Sequence, residues 1–139
     1  RLFHTHRIHI EMSTDAVVVA LVGAGSRIDE DRLLRAFGEL PHGDAHDVII
    51  HPLPTPGERV IDLRTATFAA TDIVSAHDAI GRISADSLAA YPPGVPNVLP
   101  GEVITAEVVE FLVASAAAPH GYVRGALDPD VATMRVVSA

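Results

Sequence analysis

Tyr91-Pro92-Pro93-Gly94-Val95-Pro96-Asn97-Val98-Leu99-Pro100-Gly101-Glu102, or YPPGVPNVLPGE, is the stretch around which the chain has to be organised. It gathers four of the ten prolines and two of the ten glycines. Proline fixes φ and removes a backbone donor, so the stretch suits neither a helix nor a central strand. Pro93 also holds Pro92 extended. Pro93-Gly94 fits the two central positions of a type II turn. The expectation is a stiff extended run, a turn at Gly94, a second stiff run and a turn near Gly101. The stretch then ends on the carboxylate of Glu102, just before a helix. A stiff loop loses little conformational entropy when it is held in place. That suits a fixed wall or clamp, and equally a structural linker.

Downstream, Thr105 caps a predicted helix running to about Ala116, with Val108, Val109, Leu112 and Val113 on its buried face. Tyr122 to Ala126 and Met134 to Val137 read as a hairpin-like pair of strands around Asp128-Pro129-Asp130. Upstream, Arg64 to Ala70 reads as a helical turn and Asp72 to Val74 as a short edge strand. Ser75, with Asp78 three residues on, caps a short helix through Ile80, which Gly81 closes.

Further back, Arg7 to Met12 alternates as a strand. Ala16 to Val22 is a β-branched run expected to be buried on both faces. Gly23-Ala24-Gly25-Ser26 breaks it. A helix follows over Asp29 to Leu40, carrying an apolar stripe of Leu33, Leu34, Phe37 and Leu40. Val48 to Ile50 reads as a strand, and the proline-rich HPLPTPGE after it marks a boundary near residue 52. The chain thus divides into 1–52, part of a small αβ domain, and 53–139, a second small α/β lobe. The fold class is α+β: a small mixed or antiparallel sheet with helices packed on it, then the second lobe. No internal repeat is visible.

A hydrophobic fraction of 48% in 139 residues is ample for a core, and 4% aromatic content makes it a core of Val, Leu, Ile and Ala. The formal charge of −8 argues against a nucleic-acid backbone as partner and is compatible with a cationic ligand. There is no cysteine, hence no disulfide or thiolate chemistry. The longest apolar run, Ala16 to Gly25, is too short to span a membrane, and no secretory signal is visible, so the expected location is cytoplasmic. The chain opens at Arg1 rather than Met, which reads as a piece of a longer polypeptide. All ten basic residues are arginine, so no residue here forms a lysine Schiff base.

Eight histidines raise the question of a metal. His4 and His6 share a face if they lie on a strand, and His42, His46 and His51 fall in one loop region. None has the ligand spacing of a zinc site, so no metal is expected, and HTHRIH reads as a surface or interface strand. Gly23-Ala24-Gly25 resembles the start of a dinucleotide fingerprint. Ile28 stands where the third glycine belongs, however, and acidic residues crowd the helix start, so that reading fails. No serine sits in a nucleophile elbow. The candidate site is therefore the opening stretch, whose hydrogen-bonding side chains are Tyr91, Asn97 and Glu102. Glu102 suits a cation such as an ammonium or guanidinium, or the N-terminus of the helix after it.

The run GRISADSLAAYPPGVPNVLPGEVIT, Gly81 to Thr105, resembles the C-terminal region of the bacterial ornithine/lysine/arginine decarboxylases. IHIEMSTDAVVVALVGAGSRIDEDRLLRAFGEL, LRTATFAA and HGYVRGALDPDVATMRVV extend the resemblance over nearly the whole chain. The structural signature is Pro92, Pro93, Gly94, Pro96, Pro100 and Gly101. The resemblance implies a pyridoxal 5'-phosphate enzyme of the aspartate-aminotransferase fold type, linked to polyamine metabolism. Its parent would release the α-carboxylate of a basic amino acid as carbon dioxide.

The family's cofactor-binding residues lie in an upstream large domain, so this chain carries no catalytic and no cofactor-binding residue and holds no cofactor alone. Glu102, Tyr91 and Asn97 become residues of a substrate entrance. The implied partners are that upstream domain, the amino acid substrate and a second copy in a homodimer or higher oligomer, with no nucleic acid or membrane. A stand-alone α+β binding or assembly module derived from the same domain is the alternative.

Overall fold

The computed structural model describes residues 2–13, 17–41, 52–119 and 121–138. The chain divides into two compact units, Arg1–Ile50 and His51–Ala139. The expected strand at Val48 to Ile50, and His42, His46 and His51, lie outside the described residues.

The first unit opens with helix α1, Leu2–His6. The HTHRIH segment is therefore not a strand. Arg7 ends the helix at φ 56. Its N–H donates to the Phe3 carbonyl at 3.0 Å, and the Ile8 N–H reaches the Leu2 carbonyl at 3.1 Å. These paired bonds close a helix C-terminus through a left-handed residue, a position glycine usually holds. His4 and His6 are thus helical, and the face they would share on a strand does not exist. The alternation that predicted a strand over Arg7 to Met12 yields pairing only at its end, where β1 (Met12–Ser13) lies antiparallel to β2 (Val18–Val19).

The β-branched run is not buried on both faces: Leu21 is 72% exposed and Val22 52%. A two-stranded ribbon supplies no layers to cover it. Helix α2, Glu30–Gly38, forms as expected, and the Asp29 carboxylate accepts the Arg32 N–H at 3.0 Å. Its buried position is not one of the predicted stripe: Ala36 is fully buried, while Leu34 is 71% and Phe37 37% exposed. Against α2 packs α1: the His6 ring nitrogen lies 3.2 Å from the Glu39 carboxylate, and the Arg32 guanidinium donates to the His6 carbonyl.

The second unit has a core of Val98, Ile104, Val108, Leu112, Val131, Met134 and Val136. Helix α3, Leu63–Phe68, begins at Asp62, whose carboxylate accepts the Thr65 N–H at 2.9 Å. Strand β3, Thr71–Ser75, pairs antiparallel with β7, Thr133–Val137. Strands β4 (Leu88–Tyr91), β5 (Pro96–Val98) and β6 (Tyr122–Arg124) form a second antiparallel sheet in the order β5-β4-β6. Helix α4, Ala106–Ala117, packs on that sheet and is capped as expected, Thr105 Oγ1 accepting the Val108 N–H at 3.2 Å. Val108, Val109 and Leu112 are buried, whereas Val113 is 40% exposed. Isolated bridges Ile83↔Val103 and Ser84↔Val136 join the 83–84 segment to residue 103 on one side and to β7 on the other. The small antiparallel sheets with helices on them make an α+β fold.

Two local expectations change. The segment after Ser75 is a run of turns, not a helix. The cap forms, with Ser75 Oγ accepting the Asp78 N–H at 3.1 Å and donating to its carboxylate at 2.7 Å. The following bonds, Ile80 to His77 and Arg82 to Ala79, span three residues, and Gly81 takes φ +82, so the helix does not propagate. The last two strands are not a hairpin either, since β6 pairs with β4 and β7 with β3. Between them the Asp128 carboxylate accepts the Ala132 N–H at 2.7 Å, the Thr133 N–H at 2.9 Å and the Thr133 hydroxyl at 2.7 Å. Those bonds redirect the chain from one sheet to the other, and Val131 is buried at φ 56 inside the turn.

Leu112→Ala should destabilise the fold by about 2–5 kcal/mol, and Val113→Ala on the exposed side by well under half of that, in urea titrations. Hydrogen bonds from Thr133, then from Ala132, hold the Asp128 carboxyl below its ordinary 3.8. A depressed carboxylate stabilises the fold above its unfolded value and loses that contribution as the pH falls through its folded value. The stability gap between the natural chain and Asp128→Ala should be constant near neutrality and shrink below 3.8.

Candidate functional site: a clamped proline hairpin

The YPPGVPNVLPGE stretch folds as a hairpin, with β4 leading in, a tip at Pro92 to Val95, and β5 leading out. Its prolines avoid the central strand. Pro96 opens β5, an edge strand, where a missing N–H is tolerated. Gly94 takes φ +88, as a turn glycine should, but the closing bond runs from its N–H to the Ala90 carbonyl at 2.9 Å, one residue wider than a type II turn.

Register slips between Leu88↔Val98 and Ala89↔Pro96, which makes Asn97 the extra residue of a bulge. Asn97 is buried, and its Oδ1 accepts the Ala90 N–H at 2.9 Å. The side chain thereby satisfies a donor that the bulged ladder leaves over. Tyr91 lies opposite Tyr122 of β6, with ring centroids 5.1 Å apart at 31°. A Cβ on Gly94 would stand 3.1 Å from the Tyr91 ring, so hairpin tip and aromatic pair are packed together.

Glu102 is 8% exposed. Its Oε1 accepts from the Arg59 guanidinium at 2.9 Å, and its Oε2 from the Leu99 N–H at 2.9 Å. The guanidinium suited to this carboxylate is thus supplied by the chain itself. No hydrogen bond joins Glu102 to α4, Tyr91 or Asn97 among the described residues. The structure places Tyr91 and Asn97 in the hairpin and Glu102 in a separate clamp at its base.

That clamp is an antiparallel pairing of two segments, 57–61 and 101–103, each entered through a Pro-Gly-Glu tripeptide, Pro56-Gly57-Glu58 and Pro100-Gly101-Glu102. Arg59 and Glu102 form an antiparallel bridge. The Val103 N–H donates to the Glu58 carbonyl at 2.9 Å and the Val60 N–H to the Gly101 carbonyl at 3.0 Å. The approach admits no side chain: a Cβ on Gly57 would lie 1.9 Å from the Val103 carbonyl oxygen, and one on Gly101 2.3 Å from that of Ile61. On the other side, Ser84 exchanges bonds with this segment, its N–H donating to the Glu102 carbonyl and its carbonyl accepting from Gly101, both at 2.8 Å. Arg59 was not among the expected site residues; it lies 43 residues before its partner. The one signal in the sequence was the repeated tripeptide.

Among the described residues, no group of three His, Asp or Glu side chains is placed to hold a metal, and no helix is long and apolar enough to cross a membrane.

Residues 63–122, from the start of α3 into β6, match the model of the Orn/Lys/Arg decarboxylase C-terminal domain. The chain therefore contains a decarboxylase C-terminal domain, with the proline hairpin inside it. It is 36% identical to an arginine decarboxylase of Bacillus anthracis over 138 residues, 95% of this chain and 28% of that protein. It is 30% identical to an arginine decarboxylase of Bacillus subtilis over 117 residues, 80% of this chain and 24% of that protein. The structure of the constitutive lysine decarboxylase of E. coli superposes with a TM-score of 0.52 at 28% identity, covering 62% of this chain and 14% of that one. The chain thus spans about a quarter of the length of the curated relatives it matches.

Asn97→Ala should cost about 1–3 kcal/mol, because it leaves the buried Ala90 N–H without an acceptor. Chemical denaturation measures the loss, and faster amide exchange at Ala90 would locate it.

Proposed function

We propose that this chain is the C-terminal portion of a pyridoxal-phosphate-dependent decarboxylase that converts ornithine, lysine or arginine to the corresponding amine and carbon dioxide. The observation that carries the reading is the near full-length match of this chain, 95% of it, to arginine decarboxylases of which it spans 28%. The residues present do not fit a covalent site for the cofactor. The chain holds no lysine, and cofactor chemistry belongs to residues outside it. On this reading the chain is inactive alone and works joined to an upstream large domain, in the cytoplasm, as a homo-oligomer.

Within such an enzyme the hairpin serves as a fixed wall of the substrate path. Support comes from the way it is held: a bulge closed by Asn97, an aromatic pair at Tyr91, and a buried carboxylate at its base. Tyr91 and Val95 are partly exposed and present the wall's surface, whereas Asn97 and Glu102 hold it in position. Glu102 then acts through Arg59 and Leu99 as a positioning residue.

In the full-length polypeptide, Glu102→Ala should lower the rate of decarboxylation of basic amino acids while the cofactor absorbance stays intact, and Arg59→Ala should lower it less, since Leu99 still holds the carboxylate. Unchanged kinetics in both would remove the clamp from function. The reading frame upstream of Arg1 tests the larger claim. A Ser-x-His-Lys segment there supports a decarboxylase, and a start codon immediately before Arg1 overturns it.

A further inference from the structure

The first unit contains a cavity whose lining runs against the charge of the chain. It has a volume of about 510 Å³ and is lined by Arg7, Arg27, Arg32 and His9, with Asp29 as its one carboxylate. Three of the ten arginines therefore face one space in a chain of net charge −8. Arg59, Arg82 and Arg135 are paired with Glu102, Asp72 and Asp86. The side chains of Arg7 and Arg27 have no ion-pair or hydrogen-bond partner among the described residues.

Asp29 does not neutralise them, because its carboxylate caps α2 through the Arg32 N–H. That cap takes up the Arg32 N–H of the helix N-terminus, and the seat for an anion would be the guanidiniums. Two of them belong to the end of α1 and the helix packed on it. Arg7 is the left-handed residue that ends α1, and the Arg32 guanidinium is anchored on the His6 carbonyl. Apart from Ser26 the rest of the lining is apolar, with Leu21, Val22 and Ile28 beside Gly23.

We propose that this cavity binds a small organic anion, a phosphate or carboxylate headgroup on an apolar body. Guanidinium groups accept both headgroups through charge-assisted, often bidentate hydrogen bonds. An apolar wall next to them rewards a ligand that carries hydrocarbon beside its charge. The site involves neither the proline hairpin nor any residue of the proposed decarboxylase wall, so it stands or falls separately from that reading.

The test is a titration of the isotope-labelled full chain at low salt with phenyl phosphate, hexanoate and inorganic phosphate, followed by amide shifts. Saturable shifts confined to Ile8, His9 and Gly23 to Ile28 are expected. Phenyl phosphate or hexanoate should bind more tightly than inorganic phosphate, and whichever of the two binds more tightly identifies the headgroup. Arg7→Gln/Arg27→Gln should weaken binding roughly tenfold or more. Arg27→Gln alone, in a coil segment, should give a smaller loss should the double variant fold poorly. Arg35→Gln, on α2 but outside the lining, should leave binding unchanged. Shifts that do not saturate, equal binding of inorganic phosphate and the organic anions, or an unchanged affinity in Arg27→Gln would each overturn the proposal.

Discussion

The second unit depends on one close approach, the pairing of segments 57–61 and 101–103, in which Gly57 lies against the Val103 carbonyl and Gly101 against that of Ile61. Two extended segments meet there, one carbonyl from each lying where a Cβ would have to be. Only glycine allows that, and Gly101 also takes φ +91, which side chains avoid. Once the segments touch, the rest of the junction follows. Backbone bonds run from residues 58–60 to 101–103 and from there to Ser84. Ser84 in turn bridges to Val136 of β7, so the pairing reaches the β3–β7 sheet. Replacing either glycine would separate these segments rather than disturb one turn.

The buried Glu102 is understandable only at such a junction. A carboxylate this deep is costly unless it is paired and hydrogen-bonded. Here each oxygen has a donor, one a guanidinium and one a backbone amide. The Arg59 side chain is 51% exposed, so solvent screens the ion pair and its Coulombic contribution is modest. The larger effect is that removing a donor would leave a buried charge under-satisfied. Asn97 follows the same logic with a neutral group, since its carboxamide replaces a ladder partner lost to the bulge.

The caps and punctuation of the fold could be read directly from the residues. Asp29, Thr105, Gly81 and Gly94 do locally what their chemistry dictates, and each needs only neighbours within a few positions. What could not be read was partner choice. β6 and β7 look like a hairpin because they are adjacent in sequence, yet three donors to Asp128 turn the chain away from that pairing. Arg59 was invisible for the same reason: its role exists only once two distant glycines bring their segments together. In the first unit, alternating and β-branched stretches predicted strands, but such patterns describe what a segment does when covered. Among the described residues nothing covers Leu21 and Val22, and only short pairing forms.

The candidate site differs in kind from a catalytic constellation. Two of its polar groups are directed inward: Asn97 and Glu102 spend their hydrogen bonds on Ala90, Leu99 and Arg59. What faces outward is ring and hydrocarbon, with Tyr122 47% and Val95 52% exposed. An element built this way acts on a neighbouring ligand by shape and by excluding water, and it can do so reproducibly because its tip is held at both ends. Any influence the hairpin has on such a ligand is therefore geometric, transmitted by the position of the wall.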